Sequence, residues 1–272
     1  QETLQVIRVV VQMVEERVVA EQPQLREAVL TYSREIAFSA ADVYARAAEA
    51  RGLWDARLEA LVVDSIVSGE SSQEISSRVA ALGWRADGQV AVLLGSTPQT
   101  QDPDAIRKIA RKSGADVLLG IQGRRQVAVI GLLEVQQQAD ERIRAISLLL
   151  EPHFGQAALI LGPTVSVVSD ASRSARAALS ANTVSGALRA ITRPLLADDL
   201  LPERAMAGDT LARSALIERY YTPLAGESPE LLQTLRSYLD TGGSLEGCAR
   251  ELFVHANTVR YRLKRVADEV GL

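Results

Sequence analysis

The sequence predicts an α/β protein of the α+β kind, with a helical amino-terminal region, a ferredoxin-like middle domain and a carboxy-terminal helix-turn-helix. Three observations predict it. The chain opens with helix formers whose apolar residues fall at helical spacing, its middle alternates short β-rich runs with helices, and its last part returns to helices joined by glycine- and asparagine-marked turns. With 272 residues, 47% of them apolar, it can bury a large core and divide into two or three domains.

Residues 1–78 read as a helical dimerisation or linker region. From Leu4 to about Val67, Val6, Val9, Val10, Met13 and Val14, then Val29, Ile36, Val43 and Tyr44, recur at helical intervals. Pro23 interrupts the first helix. Trp54, Leu58, Leu61 and Val62 form a further stripe that ends near Ser68 and Gly69. Such a stripe is either core or part of a dimer interface, because helices longer than a small domain needs often pack against a second subunit.

Residues 79–205 show the order β-α-β-β-α-β: Gln89 to Gly95, a helix from Pro103 to Ser113, Ala115 to Ile121, Gln126 to Leu132, a helix from Val135 to Leu150, and Ala157 to Leu161. This is the ferredoxin-like split unit, in which helices cover one face of an antiparallel sheet. A helix from Ala171 to Ser180 and a segment through Leu195 and Leu196 complete the layer, and Leu200 to Arg204 reads as a linker.

Residues 206–272 are predicted helical over Thr210 to Tyr221, Pro229 to Asp240, Ser244 to Phe253 and Asn257 to Val270. Thr241-Gly242-Gly243 stops one helix, Ser244 caps the next, and Asn257 or Thr258 caps the last. In that last helix Val259, Leu263 and Val266 form an apolar face for Leu245, Ala249 and Leu252 of the helix before it. The opposite face carries Thr258, Arg260, Tyr261, Arg262, Lys264 and Arg265.

From Arg250 to Arg265 there are five Lys or Arg against the single acid Glu251, a local charge of +4 in a chain whose total is −4. The positive field is therefore confined to one place, as local contact with DNA requires and indiscriminate coating of nucleic acid does not. A helix-turn-helix lays its second helix in the major groove, where Asn pairs with adenine and Arg with guanine, while Lys, Arg and Tyr reach phosphates. Asn257, Thr258, Arg260 and Tyr261 lie at the base-reading end. Lys264 and Arg265 are assigned to the backbone, and Ser244, Arg262 and His255, a turn residue that caps or contacts phosphate, complete the candidate set.

Other chemistries are poorly served. The single cysteine, Cys248, permits no intramolecular disulfide, and with only His153 and His255 as histidines a protein zinc site is disfavoured. Cys248 reads as a small buried hydrophobe, His153 as a residue at a helix end, and Arg124 and Arg125 as a solvated hairpin tip. No apolar run approaches the roughly 20 residues that span a bilayer, and a reducing cytoplasm fits.

The string Leu252-Phe253-Val254-His255-Ala256-Asn257-Thr258-Val259-Arg260-Tyr261-Arg262-Leu263, preceded by Leu231-Leu232-Gln233-Thr234-Leu235 and Tyr238-Leu239, resembles the carboxy-terminal domain of PucR/CdaR-type bacterial transcription regulators. The resemblance implies that the middle region is a degenerate, GGDEF-like relative of the diguanylate cyclase palm. Ala48-Glu49-Ala50-Arg51-Gly52, Trp54-Asp55-Ala56-Arg57-Leu58-Glu59 and Leu196-Ala197-Asp198-Asp199-Leu200-Leu201-Pro202-Glu203-Arg204 resemble the actinobacterial branch that regulates fatty-acid biosynthesis. That branch implies operator DNA as partner, a homo-oligomer, and an acyl thioester such as long-chain acyl-CoA as effector, with no cofactor. The competing class is a ligand-sensing or protein-interaction module that does not touch DNA.

Ala256 departs from the family pattern, standing where relatives often have Arg or Pro, which removes a phosphate contact. Phe253 sits near the turn, where many helix-turn-helix units prefer glycine, so a positive φ there would strain it. The family also usually continues past the position of Leu272 into another helix. Cyclase chemistry needs carboxylates at the central hairpin to hold metal ions, and Ile121-Gln122-Gly123-Arg124-Arg125-Gln126 has none, so no enzyme is expected.

Overall fold

A computed structural model of the chain describes Val9, Gln12, Met13 and residues 26–187, 192–226 and 228–271. Leu4, Val6, Val10, Val14 and Pro23 lie outside the described residues, as do the side chains of Val29, Tyr44 and Trp54. The chain divides into two compact units, residues 1–58 and 59–272.

Val9, Gln12 and Met13 are helical, and helix α1 (Arg26–Ser68) runs for 43 residues. No proline and one glycine, Gly52, fall within it, so nothing in the sequence forces a break. Val9, Met13 and Val43 are exposed, as are Tyr32 and Phe38.

The second unit is built on a five-stranded sheet. Its elements run α2 (Ser72–Ala81), β1 (Val90–Ser96), α3 (Pro103–Lys112), β2 (Ala115–Gln122), β3 (Arg125–Leu132), α4 (Ala139–Leu150), β4 (Ile160–Leu161), α5 (Ala171–Val184) and β5 (Leu195–Leu196). The strand order is β2-β3-β1-β4-β5. The first four strands pair antiparallel, with Val129 opposite both Val92 and Leu118, and give the predicted ferredoxin-like arrangement. Strand β5 adds to β4 in parallel. Helix α4 starts four residues after the predicted Val135, which is exposed, and α5 runs past Ser180 to Val184.

Helices cover both faces of this sheet, which corrects the one-faced expectation. Side chains alternate along β1 and β3, so Val90, Val92, Leu94, Val127 and Val129 enter one cluster while Ala91, Leu93, Ala128, Ile130 and Leu132 enter the other. The second cluster is closed by Ile106 and Ala110 of α3 and by Ile143, Ile146 and Leu150 of α4. The first is closed by Val62, Val63 and Ile66 at the end of α1, by Ile75 and Val79 of α2, and by Ala175, Ala178 and Ala181 of α5. Leu61, assigned to the apolar stripe, is exposed instead. The apolar runs Val90 to Leu94 and Val127 to Leu132 leave no face for water, and two helical layers are the physical consequence.

The alanine-rich α5 lies close against the sheet. A Cβ on Gly162 would collide with the Ser174 carbonyl, and the Ser174 hydroxyl oxygen accepts from the Val92 N–H at 2.9 Å. At the β2 edge of the sheet Glu59, buried, accepts from the Leu119 N–H at 2.7 Å and from Arg107 Nη2 at 2.6 Å, tying the end of α1 to β2 and α3.

Leu200 to Arg204 is not a linker. A 3-10 turn over Ala197–Leu200 leads into α6 (Leu201–Met206), with Leu200, Leu201 and Arg204 buried. Pro202 sits in the first turn of α6, where its missing N–H has no intrahelical partner to lose. Arg204 donates from Nε and Nη2 to Asp209 Oδ2 at 3.1 and 2.9 Å and from Nη1 to the Ala197 carbonyl at 2.9 Å. Asp209 in turn caps α7 (Thr210–Leu216), accepting from Leu211 and Ala212 N–H. A π-helical stretch over Ile217–Tyr221 passes into α8 (Thr222–Gly226), and three further helices follow: α9 (Pro229–Asp240), α10 (Leu245–Glu251) and α11 (Ala256–Val270).

Candidate nucleic-acid interface

Helices α10 and α11 are seated on α9 by two small apolar clusters. Cys248, Ala249 and Val259 are buried against Tyr238, Leu245, Leu252, Val254 and Leu263. Val266 joins Val270, Leu224 and Leu231 in the other cluster rather than packing on α10 as the sequence predicts. Three polar ties fix the angles between the helices. Arg262 Nη1 donates to Thr234 Oγ1 at 3.3 Å, the Ser237 hydroxyl donates to Glu251 Oε2 at 2.6 Å, and Cys248 Sγ lies 3.7 Å from the Thr234 carbonyl. Cys248 is thus the small buried residue expected.

The joints are built by their end residues. Ser244 caps α10, its Oγ accepting from the Gly247 N–H at 3.0 Å. At α11 the cap is His255, whose Nδ1 accepts from the Asn257 N–H at 3.1 Å, so the helix begins at Ala256 and neither Asn257 nor Thr258 caps it. Between α10 and α11 Phe253 takes φ 53, the positive value that the sequence flagged as a strain.

Capping by His255 leaves the side chains of Asn257 and Arg260 free to face outward. Both are exposed, and Arg260 Nη1 donates to Asn257 Oδ1 at 2.8 Å across one turn of helix. Tyr261, Lys264 and Arg265 are exposed on the same helix, and Arg250 is exposed on α10. Thr258 is half-buried. Arg262 does not belong to the exposed face: it is half-buried and turned onto Thr234. Its assignment to the surface is corrected by helical geometry, since it lies three residues after Val259 and four before Val266, both buried.

The structure therefore brings His255, Asn257, Arg260 and Tyr261 to the amino-terminal half of α11 with Lys264 and Arg265 behind them. It places Ser244 at the start of α10 and Arg262 inside the helix packing. Sequence reading did not assign the ties through Thr234 and Ser237, although Thr234 lies in the Leu231-to-Leu235 string already singled out.

A separate cavity of about 280 Å³ opens beside β4 and β5, lined by Asp140, Glu141, Arg144, Thr164 and Asp198 among others. Burial pushes the Asp198 carboxyl above the ordinary carboxylate value, against the pull of Arg204 and Arg219. The cavity thus sets three carboxyl groups beside one guanidinium. The hairpin tip holds exposed Arg124 and Arg125, and His153 lies in a 3-10 turn with its carbonyl accepting from Gln126 Nε2 at 3.1 Å.

Comparison with known proteins agrees with this architecture. Residues 231–272 match the PucR C-terminal helix-turn-helix domain, and residues 68–184 match the GGDEF-like domain. The chain is 42% identical over 254 residues to uncharacterised proteins of Mycobacterium tuberculosis and Mycobacterium bovis, a match that covers 89% of this chain. It spans only 60% of the length of those relatives. It is also similar to the crystal structure of a regulator of polyketide synthase expression from Bifidobacterium adolescentis, with a TM-score of 0.66, 33% identity, and coverage of 79% of this chain and 84% of that one. Among the described residues no helix is long and apolar enough to cross a membrane. By both domain matches and by this solved relative, the chain belongs to the PucR/CdaR-type family of bacterial transcription regulators.

Proposed function

We propose that this protein is a cytoplasmic, sequence-specific DNA-binding transcription regulator that works as a homodimer or higher oligomer and controls fatty-acid biosynthesis genes in response to an acyl thioester such as a long-chain acyl-CoA. One observation carries the DNA reading. Val259 and Val266 of α11 are buried while Asn257, Arg260, Tyr261, Lys264 and Arg265 face water, so the helix offers base-reading and phosphate-binding groups on one free side. Two copies support useful affinity where one short helix does not. The exposed Val9, Met13, Tyr32, Phe38 and Val43 of the first unit are apolar surface that a second copy would cover.

The fatty-acid assignment rests on the resemblance of the segments at Ala48 to Gly52, Trp54 to Glu59 and Leu196 to Arg204, and on the solved relative that regulates polyketide synthase expression. Polyketide and fatty-acid assembly both extend acyl thioesters, so a regulator of either has reason to sense that chemistry. The palm-like sheet is read as a non-catalytic platform, because the tip from Gln122 to Arg125 presents no carboxylate for a metal ion. Metal-dependent turnover of GTP by the chain would overturn that reading.

Gel shifts against duplexes selected from a random pool test the DNA reading. Arg260→Ala is expected to relax preference at one base pair by about 1–3 kcal/mol, whereas Lys264→Ala is expected to weaken every duplex alike and reduce the salt slope by about one ion. Failure of the wild-type chain to select any duplex would leave the ligand-sensing module in its place. Calorimetric titration with palmitoyl-CoA tests the effector, and no heat of binding removes it.

A further inference from the structure

Phe253 combines two features that the folding of this chain does not explain. Among the described residues it is the only non-glycine with a positive φ, and its side chain is 95% exposed. The backbone around it is a paired-bond helix ending, in which the Val254 N–H returns to the Ala249 carbonyl at 3.0 Å and the Phe253 N–H to the Arg250 carbonyl at 3.4 Å. The residue in Phe253's place takes the left-handed backbone, where a Cβ crowds the following carbonyl oxygen and glycine is the common choice.

The joint one helix earlier has the same ending and uses glycine. There the Gly243 N–H returns to the Tyr238 carbonyl at 2.9 Å, and Gly242 holds φ 64. The α10 to α11 turn thus has no need of a phenyl ring, and the apolar contact that usually accompanies such an ending is made by Val254. The ring gains no packing either. A strained backbone carrying a fully hydrated aromatic side chain points to a surface outside the monomer.

The position of the ring says which surface. Phe253 precedes the α11 cap, His255, by two residues, so their Cα atoms are at most about 7 Å apart. It stands at the entry of the helix that carries exposed Asn257, Arg260, Lys264 and Arg265, with exposed Arg250 three residues before it. The nearest acid in sequence, Glu251, is engaged by the Ser237 hydroxyl. An apolar ring set in a cationic surround is complementary to a polyanion that also offers apolar edges. The major groove of duplex DNA does so, presenting deoxyribose and thymine methyl groups between its phosphates.

We propose that Phe253 is a DNA-contacting residue whose ring packs on the sugar and thymine-methyl wall of the major groove where α11 enters it. The inference rests on the DNA-binding reading above and adds a non-ionic contact to it. It is tested on the full 272-residue chain as Phe253→Gly, Phe253→Ala and Phe253→Tyr, with anisotropy titrations of a labelled duplex selected by the wild-type chain and with thermal melting. The Gly and Ala variants are expected to bind about tenfold more weakly and the Tyr variant within about twofold of wild type, following loss or retention of one buried apolar contact. The salt slope should not change, because no ion is displaced. The Tm of Phe253→Gly should not fall, since relief of the left-handed Cβ offsets the extra freedom of the unfolded chain.

Wild-type affinity in Phe253→Gly would overturn the proposal while leaving the DNA reading intact, provided that Arg260→Ala still changes binding. An affinity loss accompanied by a drop of several degrees in Tm would overturn it too, because the ring would then be supporting the turn. If the wild-type chain selects no duplex, the DNA reading fails and this proposal falls with it.

Discussion

Around the sheet two clusters rich in valine, leucine and isoleucine close both faces, whereas the helices from α8 to α11 share two small groups, Leu224, Leu231, Val266 and Val270, and Cys248, Ala249 and Val259. In the helical domain polar side chains do what the apolar layers do in the sheet. Thr234 with Arg262, Ser237 with Glu251, and the Ser244 and His255 caps fix its helices. The contrast teaches that a small domain which leaves one side free for a partner keeps too narrow an apolar side for a large core, and directional bonds then determine its shape.

The largest expected effect lies where the two regions join. Asp209→Ala would leave the buried guanidinium of Arg204 with only the Ala197 carbonyl and Asp198, at 3.6 Å, and remove the α7 cap, costing about 3–5 kcal/mol in urea denaturation. Burial alone would raise the Asp209 carboxyl, but hydrogen bonds from Ser180, the Ala212 N–H and Arg204 outweigh it and hold the group below 3.8. Its contribution is accordingly complete above that ordinary value and is lost as pH falls through the lower native one. Asp198 has the opposite sign, its raised value making the native state lose ground as pH rises through it. An acid titration of stability that is identical in wild type and Asp209→Asn would show that the join does not depend on this pair.

Next in size are the cores themselves. Ile143 is fully buried under the sheet, and Ile143→Ala is expected to cost about 2–5 kcal/mol. Val259→Ala, equally buried but smaller, is expected to cost about 2 kcal/mol. Their consequences for binding should diverge. At a temperature where both variants are folded, only Val259→Ala should weaken duplex binding, since it alone lies under the exposed face of α11. Equal losses of affinity would mean that the sheet and the helix-turn-helix are energetically coupled.

Periodicity made the β-α-β-β-α-β order legible, and the charge confined to Arg250 through Arg265 made the interface legible. The rest was lost for identifiable reasons. The two-sided burial of the sheet was carried by the unbroken apolar runs in β1 and β3, but α5, one of the helices covering the extra face, packs there through alanine and serine side chains that give little hydropathy contrast. Pro202 resembles a breaker and instead starts a helix. Arg262 was placed outside by its charge, although its spacing from Val259 and Val266 puts it on their side of α11. His255 was legible as a turn residue that caps or contacts phosphate, and its ring nitrogen makes the cap bond that Asn257 or Thr258 was also expected to make.

The smallest effect sharpens the comparison at two helix starts. Ser244 makes a cap bond to Gly247, whereas Gln138 at the start of α4 makes none with its side chain. Ser244→Ala should therefore cost about 1 kcal/mol and Gln138→Ala close to nothing, in keeping with a helical domain held by directional bonds and a sheet domain held by burial. Glycine at position 244 separates structure from recognition, because a glycine cap costs only a few tenths of a kcal/mol. The Ser244 hydroxyl still has a proton to donate toward a phosphate after accepting from Gly247. If it does so, Ser244→Gly and Ser244→Ala lose duplex affinity equally while differing in stability. If affinity instead follows stability across the two variants, Ser244 shapes α10 and touches no DNA.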